Sequence, residues 1–378
     1  MMGLLLQPLI NGLLPSKGGG KMFFSKGNYS IGIDIGTHAM KIVRLVYDNN
    51  TIGIDKYIIQ RTPKQLLENG IVQYPEDLGK ILDTIFIEHD INCKRASISL
   101  PVRNETVLLK WLEVPNLKNK EMEKALQSML EDEFRIAPDK LYFNWAKIKE
   151  DKYDGKEIAQ VLLVGAIKEG VDNIVTALKE AKIKPYHLEG DIFSLMRAVG
   201  EDVISKNVAI VDIGNNQTTI SMFSNKHLKY SRNIPNGGAE WIKSIMRELG
   251  YDEKSAETEL YENGCIAVDG EGLDFQQQTY SNTLSTPIDI ILDEIGNTIE
   301  FYEDRYKAKI EEIILTGGGA SLKGIDTYIY NKLGIPTTIA KPYFAKHLSL
   351  QDKETLNPLW PTLMVATGLA LKEVLDNV

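Results

Sequence analysis

The chain has 378 residues, of which 43% are hydrophobic, and this is enough for two or three packed domains. Its formal net charge is −9 with acidic and basic residues interspersed, so it lacks the basic stripe expected of a duplex nucleic-acid binder. The two cysteines, Cys93 and Cys265, lie far apart, which argues against a disulfide scaffold or a zinc site and suits a reducing compartment.

The first 29 residues are predicted to form a tail that precedes the first domain. The apolar part of this tail has no positive residue before it, so it does not fit the pattern of a signal peptide. Met22 offers a second start just before a strand-like segment. The alternatives are an upstream start or disordered tail, a membrane-surface anchor, and a ligand for another part of the same chain.

Residues 31–45, IGIDIGTHAMKIVRL, predict two strands joined by a tight turn. Asp34 ends the first strand, Gly36 lies in the turn, and Lys41 begins the second strand. Glycine lets the backbone approach a ligand closely, and successive turn N–H groups form a cradle for phosphate oxygens. A carboxylate here can hold a hydrated Mg²⁺, and the lysine can return to the phosphates as a point charge. The pattern therefore predicts a phosphate-binding turn with its metal carboxylate and its cation.

Residues 93–159 show a different pattern, which predicts a small module of strands and one helix. Segments 95–102 and 105–115 are predicted strands, and residues 119–136 predict an amphipathic helix. A further strand follows near residue 141. Apolar stripes of this kind are typical of a packed core. The stripe of the helix contains Met122, Ala125, Leu126, Met129 and Phe134, and that of the last strand contains Leu141, Phe143 and Trp145.

The turn pattern returns in residues 208–223, VAIVDIGNNQTTISMF, where Asp212 and Gly214 correspond to Asp34 and Gly36. The two copies are separated by about a domain's length, so we expect two related domains that face each other. A lone copy of such a turn would be weak evidence for function, since ordinary hairpins share it.

A third element supports a nucleotide site. Residues 311–329 predict a strand, then Gly317, Gly318 and Gly319, then a helix, an arrangement that lets a flat or anionic ligand lie against the backbone. Other nucleotide motifs do not fit. The GGGKMF segment lacks the early glycine and the hydroxyl residue of a P-loop, and no Gly-x-Gly-x-x-Gly follows a strand.

With these motifs the sequence resembles the superfamily of actin, the sugar kinases and the heat-shock chaperone ATPases. Within it, the chain resembles in particular the PilM family of type IV pilus machines, which is related to the cell-division protein FtsA. The resemblance extends over nearly everything after Met22. It depends on the order and spacing of several segments: ISLPVRNETVLLKWLEVP, HLEGDIFSLMRAVG, RNIPNGGAEWI, LDEIGNTIEFYEDR, LTGGGASLKGIDTYI and WPTLMVATGLALKE.

The resemblance implies an α/β fold with two actin-like (ribonuclease H-like) lobes around a nucleotide cleft and a small inserted subdomain of the FtsA/PilM type. Lobe 1 would comprise residues 30–92 and 160–201, and lobe 2 residues 202–372. The inserted subdomain would comprise residues 93–159 and serve protein contacts, and residues 1–29 would be the tail.

The resemblance also implies binding of ATP and Mg²⁺ at residues matched to the family's motifs. Asp34 and Asp212 would be the metal carboxylates. Asp191 would orient the attacking water, with Glu189 beside it, although Asp191 also suits a helix cap. The chain departs from the family after Ala256, where Leu260 and Tyr261 replace an expected lysine. The implied ligand-binding positions are Asp34, Gly36, Thr37, His38, Lys41, Asp212, Gly214, Asn215, Gln217, Thr218, Gly237, Gly238, Glu257, Gly317, Gly318 and Gly319.

The function implied is that of a nucleotide-gated scaffold with, at most, slow ATPase activity. The scaffold would bind the cytoplasmic N-terminal tail of a PilN-like membrane protein and other pilus assembly proteins. It would lie in the cytoplasm at the inner face of the membrane, bound there through its partners. Self-association stays open, and no nucleic acid is expected as a partner.

Two other functions also stay open. One is a small-molecule kinase of the same superfamily, for which Asp191 or Glu189 would be the base. The other is an FtsA-like division protein, which is disfavoured because no basic amphipathic anchor follows Leu371. A further hypothesis concerns the tail. Residues 10–15, INGLLP, resemble the core expected of the partner's tail, so the tail is predicted to compete with that partner.

Overall fold

The structure is a computed structural model that describes residues 28–48, 51–103, 105–153, 155–268 and 272–377. The tail segment 1–27, which includes Met22 and residues 10–15, lies outside the described residues, as does the hypothesis placed on it. The described residues separate into two compact units. Unit 1 runs to Leu195 and resumes at Val365, and unit 2 is Met196–Met364.

Unit 1 contains a five-stranded sheet, a two-stranded ribbon and a three-stranded sheet. The spatial orders are β10-β6-β1-β2-β3, β4-β5 and β7-β9-β8. The strands are β1 (Asn28–Ile35), β2 (Ala39–Asp48), β3 (Thr51–Arg61), β4 (Leu67–Glu68), β5 (Ile71–Val72), β6 (Arg95–Leu100), β7 (Val107–Pro115), β8 (Leu141–Tyr153), β9 (Lys156–Ile167) and β10 (Lys184–Gly190).

The five-stranded sheet is built around β1, which pairs antiparallel with β2 and parallel with β6. Strand β6 pairs parallel with β10 on its other side. Because parallel strands inside a sheet are covered on both faces, β1 and β6 are buried along nearly all of their length after the first one or two residues. The helices whose residues lie wholly or partly in this unit are α1 (Pro75–Glu88), α2 (Asn119–Phe134), α3 (Lys168–Glu180), α4 (Asp191–Val199) and α11 (Trp360–Asn377).

The three-stranded sheet and α2 form the small module that the sequence predicts. Met122, Leu126, Leu130 and Phe134 recur every four residues, so they share the buried face of α2. They pack in one core cluster with residues of the three strands, so Met122, Leu126 and Phe134 of the predicted stripe are confirmed, and Met129 packs against the cluster. Ala125 is half-buried, and Leu130 completes the buried face in its place. The predicted strand face is confirmed as well, because Leu141, Phe143 and Trp145 belong to or pack against the same cluster.

The strand pairing differs from the predicted subdomain limits of 93 and 159. Strand β6 hydrogen-bonds with β1 and β10, so residues 95–100 belong to the five-stranded sheet. Strand β9 pairs with β7 and β8 along its length, so the small sheet extends to Ile167. The sequence of β6, RASISL, predicts a strand but does not show to which sheet it belongs, because that depends on its long-range partners.

Unit 2 contains a second five-stranded sheet, in the order β13-β12-β11-β14-β15. Its first three strands pair antiparallel and its last three parallel, which is the arrangement of β3-β2-β1-β6-β10 in unit 1. The internal repeat predicted from the two turns is therefore confirmed at the level of sheet topology. The strands are β11 (Val208–Ile213), β12 (Thr218–Ser224), β13 (His227–Ile234), β14 (Glu312–Thr316) and β15 (Thr337–Ile339).

Helices of unit 2 cover its sheet with a large apolar core that includes Trp241 and Ile295. The longest helix, α8, begins with a capping box in which Asp274 and Gln277 satisfy each other's backbone N–H groups. The division between the units falls within α4 and α11. The described helices that lie wholly in unit 2 are α5 (Glu201–Ile204), α6 (Gly238–Leu249), α7 (Glu253–Asn263), α8 (Phe275–Tyr306), α9 (Ile325–Leu333) and α10 (Leu350–Leu356). Short 3₁₀ turns lie at Gly318–Ser321 and Tyr343–His347 in unit 2 and at Pro138–Lys140 in unit 1.

Within the described parts of the chain, no helix is both long enough and apolar enough to cross a membrane.

Candidate functional site

The first predicted turn joins β1 to β2. The N–H of Gly36 donates a hydrogen bond to the carbonyl oxygen of Ala39 at 3.2 Å, which closes the turn. The strand register places Asp34 opposite Lys41, and Lys41 Nζ donates to Asp34 Oδ2 at 3.1 Å. The two side chains are largely buried, with exposures of 18% for Lys41 and 13% for Asp34. The carboxylate and the cation predicted from the sequence are therefore an ion pair at the base of the turn.

Two hydroxyl residues that the sequence patterns did not reveal support this turn. Ser99, at the end of β6, donates from Oγ to Asp34 Oδ1 at 3.1 Å. Thr62 donates from its hydroxyl to the carbonyl oxygen of Gly36 at 2.7 Å and from its N–H to that of His38 at 3.0 Å. Ser99 lies 65 residues from Asp34 in sequence, so only the pairing of β1 with β6 brings them together.

The second predicted turn joins β11 to β12 and closes in the same way. The N–H of Gly214 donates to the carbonyl oxygen of Gln217 at 2.9 Å. Asp212 lies opposite Thr219 in the antiparallel pair, so a threonine occupies the position that Lys41 has in unit 1. Thr218 donates from its hydroxyl to the carbonyl oxygen of Asn236 at 2.8 Å, which joins the turn to the segment before α6.

The start of α6 packs directly on this second turn. The N–H of Gly238 donates to the carbonyl oxygen of Gly214 at 3.0 Å, and that of Ala239 to the carbonyl oxygen of Asn215 at 2.8 Å. The first N–H groups of a helix normally lack a partner and are a common anion site. Here the turn accepts two of them, so Gly238, which the sequence predicted, and Ala239 tie α6 to the turn.

The three-glycine segment, which follows β14, packs against the same turn. Gly317 has φ = +84°, a conformation that favours glycine. A β-carbon at this position would also lie 2.3 Å from Asp212 Oδ1. At Gly318, by contrast, a β-carbon would meet nothing within 4 Å. Unit 2 therefore brings together three segments that the sequence predicted separately: residues 212–218, 237–238 and 317–319.

The two predicted catalytic acids lie in unit 1. Glu189 is on β10 in register with Ser99 and is 4% exposed, with Oε2 at 3.2 Å from Nε2 of His187. Asp191 begins α4, and its Oδ1 accepts hydrogen bonds from the N–H groups of Val102 at 3.1 Å and Ile192 at 2.8 Å. These contacts fit the alternative that Asp191 caps the helix and fixes the loop after β6. Its catalytic role stays a prediction.

The charge of Asp191 also acts on the loop after β6. Burial lowers the pKa of Arg103, while the nearby carboxylates of Glu105 and Asp191 oppose this shift and favour the cation. The guanidinium group of Arg103 thus interacts electrostatically with the predicted catalytic acid.

Glu257 lies half-buried on α7, the helix that follows α6. The side chain of Asp252 caps this helix by accepting from the N–H of Ser255 at 3.0 Å. Of the two residues that replace the expected lysine, Leu260 packs against the core of unit 2 and Tyr261 is 62% exposed. An adenosine contact from this helix stays a prediction.

The donor set suits a metal carried by a ligand rather than one held in a protein cage. Among the described residues, no group of three or more His, Cys, Asp or Glu side chains could hold a metal ion. Each turn contributes one carboxylate, Asp34 in unit 1 and Asp212 in unit 2. Mg²⁺ keeps most of its waters and commonly binds through one or two carboxylates plus substrate phosphates. Each turn, taken by itself with its one carboxylate, therefore fits Mg²⁺ that is bound together with phosphate groups.

Comparison with known proteins identifies the family of this chain. A family model described as type IV pilus assembly protein PilM matches residues 32–374. Cell division protein FtsA of Bacillus subtilis (strain 168) is 27% identical over 214 residues, which is 50% of this chain and 46% of FtsA. The chain thus matches less than half the length of that curated relative.

Two solved structures show the fold. A PilM-PilN type IV pilus biogenesis complex is similar with a TM-score of 0.76 and 22% identity, covering 91% of this chain and 98% of that chain. MreB 5 of Spiroplasma citri bound to AMPPNP is similar with a TM-score of 0.51 and 16% identity, covering 93% of this chain and 98% of that chain. The fold of the chain is that of the actin-like ATPases.

Proposed function

The chain belongs to the PilM family of type IV pilus assembly proteins, and from that premise we propose that it is an ATP-binding, actin-like scaffold of an inner-membrane assembly complex. The complex serves a type IV pilus or a related secretion machine. One observation carries the nucleotide part of this proposal. The two sheets repeat the same turn, and in unit 2 the glycine segment at Gly317 closes on the carboxylate of Asp212.

In this proposal the two turns hold the phosphates of ATP. Backbone N–H groups of each turn donate to phosphate oxygens, and Lys41 adds a charge-assisted contact. The open backbone at Gly318 accepts the adenine side, since a β-carbon there would meet nothing within 4 Å. Mg²⁺ bound with the phosphates would neutralise part of their charge. Asp34 and Asp212 are the carboxylates predicted to face it, and the likeness to MreB 5 bound to AMPPNP supports a triphosphate ligand.

Turnover, where it occurs, requires a group that orients water at the terminal phosphate. Asp191 and Glu189 are the predicted groups in this chain. Asp191 is held by two backbone N–H groups, and Glu189 is buried beside His187. Both carboxylates are held by structural contacts, so neither is free to act only on water. This arrangement is consistent with slow hydrolysis and with a protein that acts as a switch.

The partner proposed for the scaffold is the cytoplasmic N-terminal tail of a PilN-like membrane protein. The similarity to a PilM-PilN complex supports this choice. Binding such a tail would hold the chain at the inner face of the cytoplasmic membrane, where it would also meet other pilus assembly proteins. The small module formed by α2 and β7–β9 supplies the protein contact, and nucleotide state sets the affinity for the tail.

Calorimetry tests both parts of the proposal. ATP is titrated into the full chain with Mg²⁺ and with EDTA. A synthetic peptide of the partner's cytoplasmic tail is then titrated into the nucleotide-free, ADP-bound and ATP-bound protein. We expect ATP binding that is tighter with Mg²⁺, and peptide affinity that changes with the nucleotide. Absence of ATP binding would overturn the nucleotide role, and peptide affinity independent of nucleotide would overturn the switch. A phosphorylated small molecule formed from ATP would favour the kinase alternative.

A further inference from the structure

Both carboxylate oxygens of Asp34 are engaged inside unit 1. Oδ2 accepts from Lys41 Nζ at 3.1 Å, and Oδ1 accepts from Ser99 Oγ at 3.1 Å. The donors come from different strands, β2 and β6, which flank β1 on its two sides. The carboxylate is thus fixed from both sides by the sheet itself, and Lys41 is fixed in turn by the carboxylate.

The repeat in unit 2 has other residues at the strand positions beside its turn carboxylate. There the residue opposite Asp212 on the antiparallel strand is Thr219, and its partner on the parallel strand is Thr316. The hydroxyl of Thr316 donates to the carbonyl oxygen of Pro361 at 2.9 Å. The two strand positions that flank the turn carboxylate therefore differ in chemistry between the units.

The ion pair at Asp34 is largely buried, where the interaction of opposite charges is stronger than at the surface. A long lysine side chain loses rotamer freedom when it binds a phosphate, and prior anchoring reduces that cost. Ser99 is 5% exposed and belongs to a strand paired on both sides, so its hydroxyl is itself held in place. The contact from Ser99 to Asp34 is suited to orient the carboxylate, and through it the ammonium group.

We propose that Ser99 is a positioning residue that acts through Asp34 to anchor Lys41 for phosphate binding. This inference rests on the proposed function, because it assigns a task within the same nucleotide site. It departs from the prediction that both turn carboxylates face Mg²⁺. In this inference Asp34 acts in binding through the lysine, and Asp212 remains the carboxylate predicted to face Mg²⁺.

The test compares Ser99→Ala with Ser97→Ala in the full chain. Ser97 lies two residues earlier on the same strand and therefore on the same face, and it is 0% exposed. Within the described residues its hydroxyl has no hydrogen-bond partner, which makes it a matched control. Melting temperatures establish that both variants fold. Ser99→Thr, which keeps a hydroxyl, is a rescue variant.

Calorimetry with ATP should show binding weakened about three- to tenfold in Ser99→Ala and unchanged in Ser97→Ala. Ser99→Thr should bind more tightly than Ser99→Ala. The ratio of the Kd values measured with Mg²⁺ and with EDTA should stay as in the wild type. In a Lys41→Ala background, removal of Ser99 should have no additional effect, because the two residues act as a unit.

Three results would overturn the proposal while leaving ATP binding intact. They are equal affinities in the two serine variants, effects of Ser99→Ala and Lys41→Ala that add fully, and loss of Mg²⁺ dependence in Ser99→Ala. A wild-type chain that binds no ATP would instead overturn the proposed function itself. The wild-type titration therefore separates the two failures.

Discussion

Gly237 approaches Gly214 so closely that a β-carbon at position 237 would lie 2.3 Å from the Gly214 carbonyl oxygen. The contact holds the start of α6 against the second turn. Gly237 has φ = −170°, which any residue adopts, so the constraint is steric rather than conformational. The close approach explains why the residue just before this helix, at position 237, is a glycine.

Gly237→Ala should therefore force the turn and the helix apart. We expect the melting temperature to fall by about 2–10 °C, since overpacking costs about 1–3 kcal/mol, and we expect ATP affinity to fall with it. Gly238→Ala is the matched control, because its β-carbon would be 3.8 Å from the nearest atom. Differential scanning fluorimetry with and without ATP measures both effects. Equal melting temperatures for the two variants would show that the turn moves to accommodate the added β-carbon without loss of stability.

Much of this site is visible in the sequence because the motifs are local. Each turn contains its carboxylate and its glycine within a few residues, and Lys41 follows at a spacing that a hairpin places opposite Asp34. The resemblance to the PilM family depended on the order of such motifs, and the family model confirms it. The fold class follows from the same motifs, since two copies of one turn indicate two copies of one sheet.

The parts that sequence patterns did not reveal depend on long-range pairing. In the sequence, Ser99 has the pattern of an ordinary residue in a buried strand. Only the pairing of β6 with β1 shows that its hydroxyl donates to Asp34. The same pairing decides that β6 belongs to the five-stranded sheet rather than the module. The sequence also does not reveal that the second turn accepts a hydrogen bond from the N–H of Gly238. The residues that start a helix are the same whether or not its first N–H groups have partners.

Lys41→Ala should weaken ATP binding about ten- to a hundredfold, because loss of a charge-assisted phosphate contact costs about 1.5–3 kcal/mol. Lys56→Ala is the matched control. Lys56 lies on the edge strand β3, where it donates to the carbonyl oxygens of His89 at 2.7 Å and Asp90 at 3.1 Å. Titration calorimetry on both variants measures the effect. Wild-type ATP affinity in both variants would contradict the phosphate-binding role of Lys41.

Asp191→Asn should lower any ATPase rate while ATP affinity stays close to that of the wild type, because a water-orienting group acts mainly in the transition state. The amide oxygen can still accept from the N–H groups of Val102 and Ile192, so the fold should be kept. Asp191→Ala removes both contacts, and its stability should fall by about 1 kcal/mol as for a lost helix cap. Phosphate release over hours, with calorimetry and thermal melts, separates the roles. A wild-type rate in Asp191→Asn would leave the residue a purely structural one.

Leu126→Ala should loosen the small module without altering the proposed nucleotide site. Leu126 is 0% exposed in the core between α2 and the three-stranded sheet, and truncation of such a leucine costs about 2–5 kcal/mol. Hydrogen exchange should accelerate in residues 107–167 while ATP affinity is kept, and the partner-tail peptide should bind more weakly. Gln127→Ala, at the exposed neighbouring position, is the control and should leave all three measurements unchanged. Full peptide affinity in a Leu126→Ala protein whose module exchanges rapidly would place the partner site outside the module.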